Sequence, residues 1–392
     1  MINGIMEINK KTWRQLSITT IIRTVYSTGF RMVFPYQPIF MKGLGIELAQ
    51  MTRLIAGQSL VGIFSPFLAS MADTRGRKTG MLTGMILFCL GSLVVVFQPT
   101  VLGFFIFLVL SLLGKAIFDP SIQAYFGDHV PYQRRGLVLA ISEVSWSMAF
   151  FIGMPAVGFL MSQFGLLAPF LVLGVLGVIS FLVVIVIIPP DPVLTTERPS
   201  LFTYFSLVFR SGSALAGLGV MLLICLANQL VNVVFGVWLN ESYGLQIAAL
   251  GGASAVIGIS ELIGEGGVGL ISDRLSKQKA VLFGVIGNIL ASILLPFLGG
   301  TVWGAYLGLF LFYLTFEFTI VSMIPLMTGV LPKARATVMA LNIASASLGR
   351  GLGSLIAAPL FAWGFGLNAV FAAVVNLLAI LSLRYVIVKE EG

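Results

Sequence analysis

Two short stretches, 200 residues apart, decide how this chain folds: Met71-Ala72-Asp73-Thr74-Arg75-Gly76-Arg77-Lys78 and Ile271-Ser272-Asp273-Arg274-Leu275-Ser276-Lys277. Each is a small knot of charge set between long apolar runs. Arg135 and Arg335 repeat the same offset, each opening a later apolar run. The chain is therefore two copies of one plan, and each knot of charge is a short hydrophilic loop between buried segments.

Composition says what surrounds those loops. The 392 residues are 58% hydrophobic and only 10% charged, with mean hydropathy +1.03, whereas soluble domains carry about 25% charged residues. This excludes a cytosolic enzyme, a disordered chain and a secreted disulfide scaffold. At about 20 apolar residues per crossing, the length suits roughly twelve membrane spans. The expected spans are 16–40, 50–72, 79–97, 101–127, 136–163 and 166–188, then 213–240, 246–271, 280–299, 301–330, 336–363 and 366–388. The expected organisation is a first bundle over 1–188, a cytoplasmic linker over 189–212 that opens Pro189-Pro190-Asp191-Pro192, and a second bundle over 213–392.

Charge placement gives the orientation. Of the 23 Lys and Arg, only Lys42 and Arg53 fall on the side away from the N-terminus, and Arg23, Arg31, Lys115 and Arg350 fall inside spans. All the others gather on the N-terminal side, so the positive-inside rule puts both termini in the cytoplasm. The formal charge of +8 is thus topological and predicts no nucleic-acid partner. Lys10, Lys11 and Arg14 precede a long apolar run without a small-residue cleavage site, which reads as a retained first helix. Cys89 and Cys225 both lie in apolar runs and read as reduced core residues.

These residues resemble the major facilitator superfamily, over nearly the whole chain. The family's loop between spans two and three is G-x-x-x-D-[RK]-x-G-[RK]-[RK]; here the leading Gly is Ala69 and the first basic residue is Thr74. The second copy keeps Gly269 and Arg274 and loses the inner Gly. The resemblance implies an all-α membrane protein of twelve helices in two six-helix bundles with pseudo-two-fold symmetry, working by alternating access. It also implies a gating latch of Asp73 and Arg77 with Asp128 as acidic partner, echoed by Asp273 and Arg274. A bland alternative is that the loop arginines only set topology. Gly153-Met-Pro155-Ala-Val-Gly158 is similar to a degraded Gly-Pro motif of drug/proton antiporters, although small residues and proline there also permit close packing and a bend.

Arg23, Arg31, Lys115, Asp119, Glu143, Glu261, Glu265, Glu317 and Arg350 fall inside expected spans. Each costs about 2.5–3.5 kcal/mol at a helix centre, so these groups must face the protein interior, water or one another. Lys115 and Asp119 are one helical turn apart, and Arg23 lies at a matching depth. Glu317 and Arg350 form a second expected pair near mid-depth. Such a pair is either static glue between helices or a titratable site, with Asp119 and Glu317 as the proton carriers. Asn228 and Asn232, one turn apart in span seven, join the candidate substrate and ion-coupling residues, with Gln37, Tyr26, Gln58, Gln123, Trp146 and Asn342 as possible cavity wall.

Other chemistries lack material. His129 is the one histidine and lies in a loop, no Walker A sequence exists, and Gly264-Glu265-Gly266-Gly267-Val268-Gly269 matches the dinucleotide fingerprint by letter only, inside a membrane helix. The expected protein is a monomeric secondary transporter, not an enzyme, with no cofactor or metal. Its partners are protons, lipid and a small-molecule substrate, and proton-coupled efflux of an amphipathic compound is the first reading. Uptake of an anionic metabolite, drawn by the intramembrane cations, and a non-transporting receptor are the alternatives.

Overall fold

The computed structural model describes residues 9–68, 76–190, 201–271, 275–331 and 334–387. Among them every regular element is helical, with no strand. In chain order the longer helices are α1 (Lys10–Arg31), α2 (Gln37–Leu44), α3 (Leu48–Val61), α4 (Arg77–Phe97), α5 (Val101–His129), α6 (Tyr132–Met148), α7 (Met154–Phe164) and α8 (Ala168–Ile187). They continue with α9 (Leu201–Phe209), α10 (Gly212–Asn232), α11 (Phe235–Tyr243), α12 (Ile247–Ile271), α13 (Lys277–Leu298), α14 (Val302–Val330), α15 (Arg335–Phe361) and α16 (Phe365–Leu383). Ten segments of the described residues are long and apolar enough to cross a membrane, with α6–α7 and α10–α11 each counted as one. The first two spans fall outside that test for evident reasons: α1 carries Lys10, Lys11, Arg14, Arg23 and Arg31, and α3 is 14 residues long.

Spans one and seven differ from the unbroken runs expected at 16–40 and 213–240. The first breaks after Arg31, because Pro35 has no N–H to donate and its ring collides with the carbonyl four residues back, which is that of Arg31. The second breaks at Val233 and Val234. The two breaks meet at Gly236, where an added Cβ would lie 2.5 Å from the Pro35 carbonyl oxygen and 2.7 Å from that of Phe34. Span five is continuous but holds a π-helical turn, Ala149–Gly153, directly before Pro155. The missing proline N–H leaves the Phe151 carbonyl without its usual donor, the kind of defect that widens a turn.

The repeat extends to small details. Thr100 and Thr301 cap α5 and α14, accepting from Gly103 N at 3.2 Å and Gly304 N at 3.1 Å. Arg135 Nε donates to the Val130 carbonyl and Arg335 Nε to the Thr328 carbonyl, both at 3.1 Å. Each cation thereby meets the carbonyl end of the preceding helix, where the macrodipole favours it.

The described residues divide into two compact units, one from Met1–Val33 with Phe67–Thr196, the other from Phe34–Pro66 with Glu197–Gly392. In the first, Tyr26 Oη donates to the carbonyls of Gly84 and Ser111, both at 3.2 Å, so Tyr26 ties α1 to α4 and α5. In the second, α3 packs along α15, with Leu60 set against Gly351, and Asn376 donates to Asn288 Oδ1 at 2.7 Å. Leu171, Val175, Leu182 and Val186 of α8 are exposed. A helix this apolar on its outer face needs hydrocarbon as solvent.

Candidate functional site

In the first unit charges from three helices converge on one guanidinium. Arg23 of α1 is 4% exposed. Its Nε donates to Asp119 Oδ1 at 3.0 Å and its Nη2 to Asp119 Oδ2 at 3.3 Å, a bidentate pairing with α5. Its other edge meets Glu143 of α6, with Nη1 2.8 Å from Oε1 and Nη2 donating to Oε2 at 3.0 Å. Nη1 also donates to the Ser142 carbonyl at 2.9 Å. A planar fork with five N–H donors is the one side chain able to serve two carboxylates and a carbonyl at once.

Lys115 completes the group from one turn below Asp119. Its Nζ is 2.8 Å from Asp119 Oδ2 and donates to Ser27 Oγ at 3.1 Å. Gln123 Nε2 donates to Glu143 Oε1 at 3.0 Å. Exposure grades across the carboxylates, 17% for the Asp119 side chain and 39% for Glu143, so Glu143 is the wetter of the two.

A second feature sits beside this network. The Arg31 guanidinium lies 4.1 Å from the Trp146 ring centroid and 3.6 Å from that of Phe150, and its Nη1 donates to the Trp146 carbonyl at 2.8 Å. Lys115 Nζ is 5.3 Å from the same indole. Trp146 and Phe150 are one turn apart, and the π-helical turn begins between them at Ala149. Cation–π contacts of this kind contribute about 2 kcal/mol when desolvated. Phe150, Ser27 and Ser142 went unnamed in the sequence reading; the four-residue spacing of Trp146 and Phe150 was the available signal.

The gating residues divide. Arg77 Nε donates to Asp128 Oδ2 at 3.2 Å, joining the start of α4 to the end of α5. Asp73, Asp273 and Arg274 lie outside the described residues.

In the second unit the candidate charges are Glu317, 6% exposed, and Arg350, half-buried. Gly264 of α12 admits the Glu317 stem, since a Cβ there would be 3.1 Å from Glu317 Cβ. Asn232 belongs to a chain of polar contacts: Tyr313 Oη donates to its Oδ1 at 2.7 Å, its Nδ2 to Gln229 Oε1 at 3.2 Å, and Gln229 Nε2 to Ser354 Oγ at 2.9 Å. Asn228 stands apart from that chain. Among the described residues its Nδ2 is buried with no hydrogen-bond partner.

The repeat is broken at the charges. α5 and α14 are the same length and share their caps 201 residues apart, and that shift puts Phe316 and Ile320 where α5 has Lys115 and Asp119. At those two positions α14 is uncharged.

A bundle of apolar-faced helices enclosing ionic and amide groups defines a polytopic membrane transporter, and sequence comparison agrees. The model of the Major Facilitator Superfamily matches residues 19–354, and the chain belongs to that family of transporters, which are not enzymes. It is 25% identical over 385 residues to the MFS-type transporter YceJ of Bacillus subtilis (strain 168), covering 94% of each chain. It is 24% identical over 298 residues to the multidrug resistance protein MdtG of Klebsiella pneumoniae (strain 342), covering 73% of this chain and 72% of that one. The structure of a bacterial homologue of the human lysosomal transporter Spinster, inward-facing and unoccupied, superposes with TM-score 0.75 at 15% identity, over 98% of this chain and 100% of that one. The fold is therefore the twelve-helix, two-bundle fold of that superfamily.

Proposed function

We propose that this protein is a proton-coupled antiporter that exports an amphipathic compound across a prokaryotic plasma membrane, as a monomer with both termini in the cytoplasm. The observation that carries the reading is the single Arg23 guanidinium shared by Asp119 and Glu143, with Lys115 pressing on Asp119. Two carboxylates that share one partner are poised to exchange it. A proton taken by one carboxylate frees a cation's hydrogen bonds, and the loss of that proton restores them. Proton and substrate then compete for one set of partners, which is the linkage an antiporter needs. Similarity to a multidrug resistance protein supports the efflux direction. Arg77 with Asp128 serves as part of the cytoplasmic latch in this reading.

The test is substrate accumulation in inside-out vesicles energised with acid inside. Asp119→Asn and Glu143→Gln are expected to lower pH-driven uptake by about tenfold or more, with Glu317→Gln showing whether the second copy carries a proton as well. Unchanged uptake in all three variants would overturn proton coupling through these carboxylates. An anionic-substrate reading draws on Arg31 and Lys115, both within 5.3 Å of the Trp146 ring centroid. It predicts that Arg31→Gln and Lys115→Gln raise the apparent KM for an anion and leave a cationic amphiphile unaffected.

A further inference from the structure

At the end of the second unit where α11, α13 and α15 finish lies a cavity of about 390 Å³, within the range of small-molecule sites. Its rim is built from helix ends: Glu241 and Ser242 close α11, Gly299 caps α13, and Ala362 caps α15. Each such end carries roughly half a negative charge, although Tyr243 Oη already donates to the Gly299 carbonyl and Gly364 N to that of Phe361. The N-terminus of α16 also borders the cavity, so three negative ends meet one positive end. Glu241 adds a negative charge and is exposed, and among the described residues no Lys, Arg or His lines the cavity.

The floor is aromatic. Trp238 stacks on Phe365 with centroids 3.8 Å apart and planes within 6°, and Phe361 lies beside them. This lining selects among cations. A calcium ion draws on about six to eight oxygen ligands and has no use for an aromatic wall. An ammonium with carbon substituents fits both halves of the site, its charge toward Glu241 and its methyl or methylene groups toward the rings. A second cavity, of about 450 Å³, shares Glu241 and is also lined by Lys42 and Glu47, so it mixes both signs of charge. The first cavity is the one with uniform sign.

We infer that the Trp238–Glu241 cavity binds an alkylammonium group, either the cationic head of a solute or the choline or ethanolamine head of a lipid. The inference uses residues of the second unit only and stands or falls apart from the Arg23 network. The full-length protein in detergent is titrated with tetramethylammonium chloride at constant ionic strength, and saturation-transfer NMR follows the methyl signal. Saturable binding is expected, weakened about tenfold by Glu241→Gln and retained in Glu47→Gln. Equal binding in Glu241→Gln, or equal binding of neutral tert-butanol, overturns the site. Repeating the titration in nanodiscs identifies the source of the head group: weaker binding in phosphatidylcholine than in phosphatidylglycerol supports a lipid head, and equal binding supports a free solute.

Discussion

Asp119 accepts from Arg23 and from Lys115, and Arg23 in turn serves Asp119, Glu143 and the Ser142 carbonyl. The two cations are therefore unequal. Arg23→Leu strips both carboxylates of a shared partner, and breaking a buried ionic group from one side costs about 3–5 kcal/mol. Lys115→Met leaves the bidentate Arg23 contact intact. The thermal midpoint of purified Arg23→Leu is expected to fall well below that of Lys115→Met, and equal losses would mean that Lys115 holds Asp119 as firmly as Arg23 does. The pairing of Lys115 with Asp119 was legible from their four-residue spacing. The place of Glu143 was not, since nothing local in its span points toward α1.

The elements explain why these groups can meet. α4 and α5 approach so closely that a Cβ on Gly84 would be 2.6 Å from the Gly114 carbonyl, and a Cβ on Gly114 would strike the Tyr26 hydroxyl. Pro35 ends α1 directly after Arg31, and Pro155 follows the widened turn that begins one residue before Phe150. Prolines in the sequence announced bends, but what packs against a bend is a matter of neighbours. Gly236 illustrates this, because its need to be glycine comes from the Phe34 and Pro35 carbonyls. Gly236→Ala is expected to destabilise by about 1–3 kcal/mol. Gly266→Ala, with nothing within 4 Å of the added carbon, is expected to gain about 0.5–1 kcal/mol from helix propensity. Thermal unfolding in detergent compares the two, and a neutral Gly236→Ala would show that the breaks part without cost.

At the scale of the whole chain, the proposed orientation rests on the gathering of Lys and Arg on one side, with Lys42 and Arg53 as the exceptions. Cys225 is buried and Cys89 half-buried, so a membrane-impermeant maleimide reports on introduced cysteines. Lys42→Cys is expected to label on intact cells, and Lys277→Cys only after the membrane is opened. The reverse pattern would invert the proposed topology. The two copies also differ in chemistry: the Arg23 network lies in the first, while the second carries the Tyr313–Asn232–Gln229–Ser354 chain and an Asn228 amide nitrogen without a hydrogen-bond partner among the described residues. The twofold plan supplies the scaffold, and divergence between its halves supplies the site.

Spans, repeat and family were legible because the cost of placing a side chain in hydrocarbon depends on composition along a single segment. The loop charges at Arg77 and Lys277 mark segment ends for the same reason. Which buried charges meet was decided only in three dimensions. Arg23 reaches Asp119 across 96 residues and Glu143 across 120, and those contacts depend on how far each helix is rotated and how deeply it sits. Close packing at Gly84 and Gly114, and the bends beside Pro35 and Pro155, set those rotations. Side chains from several helices act there together, so no window of sequence contains the answer.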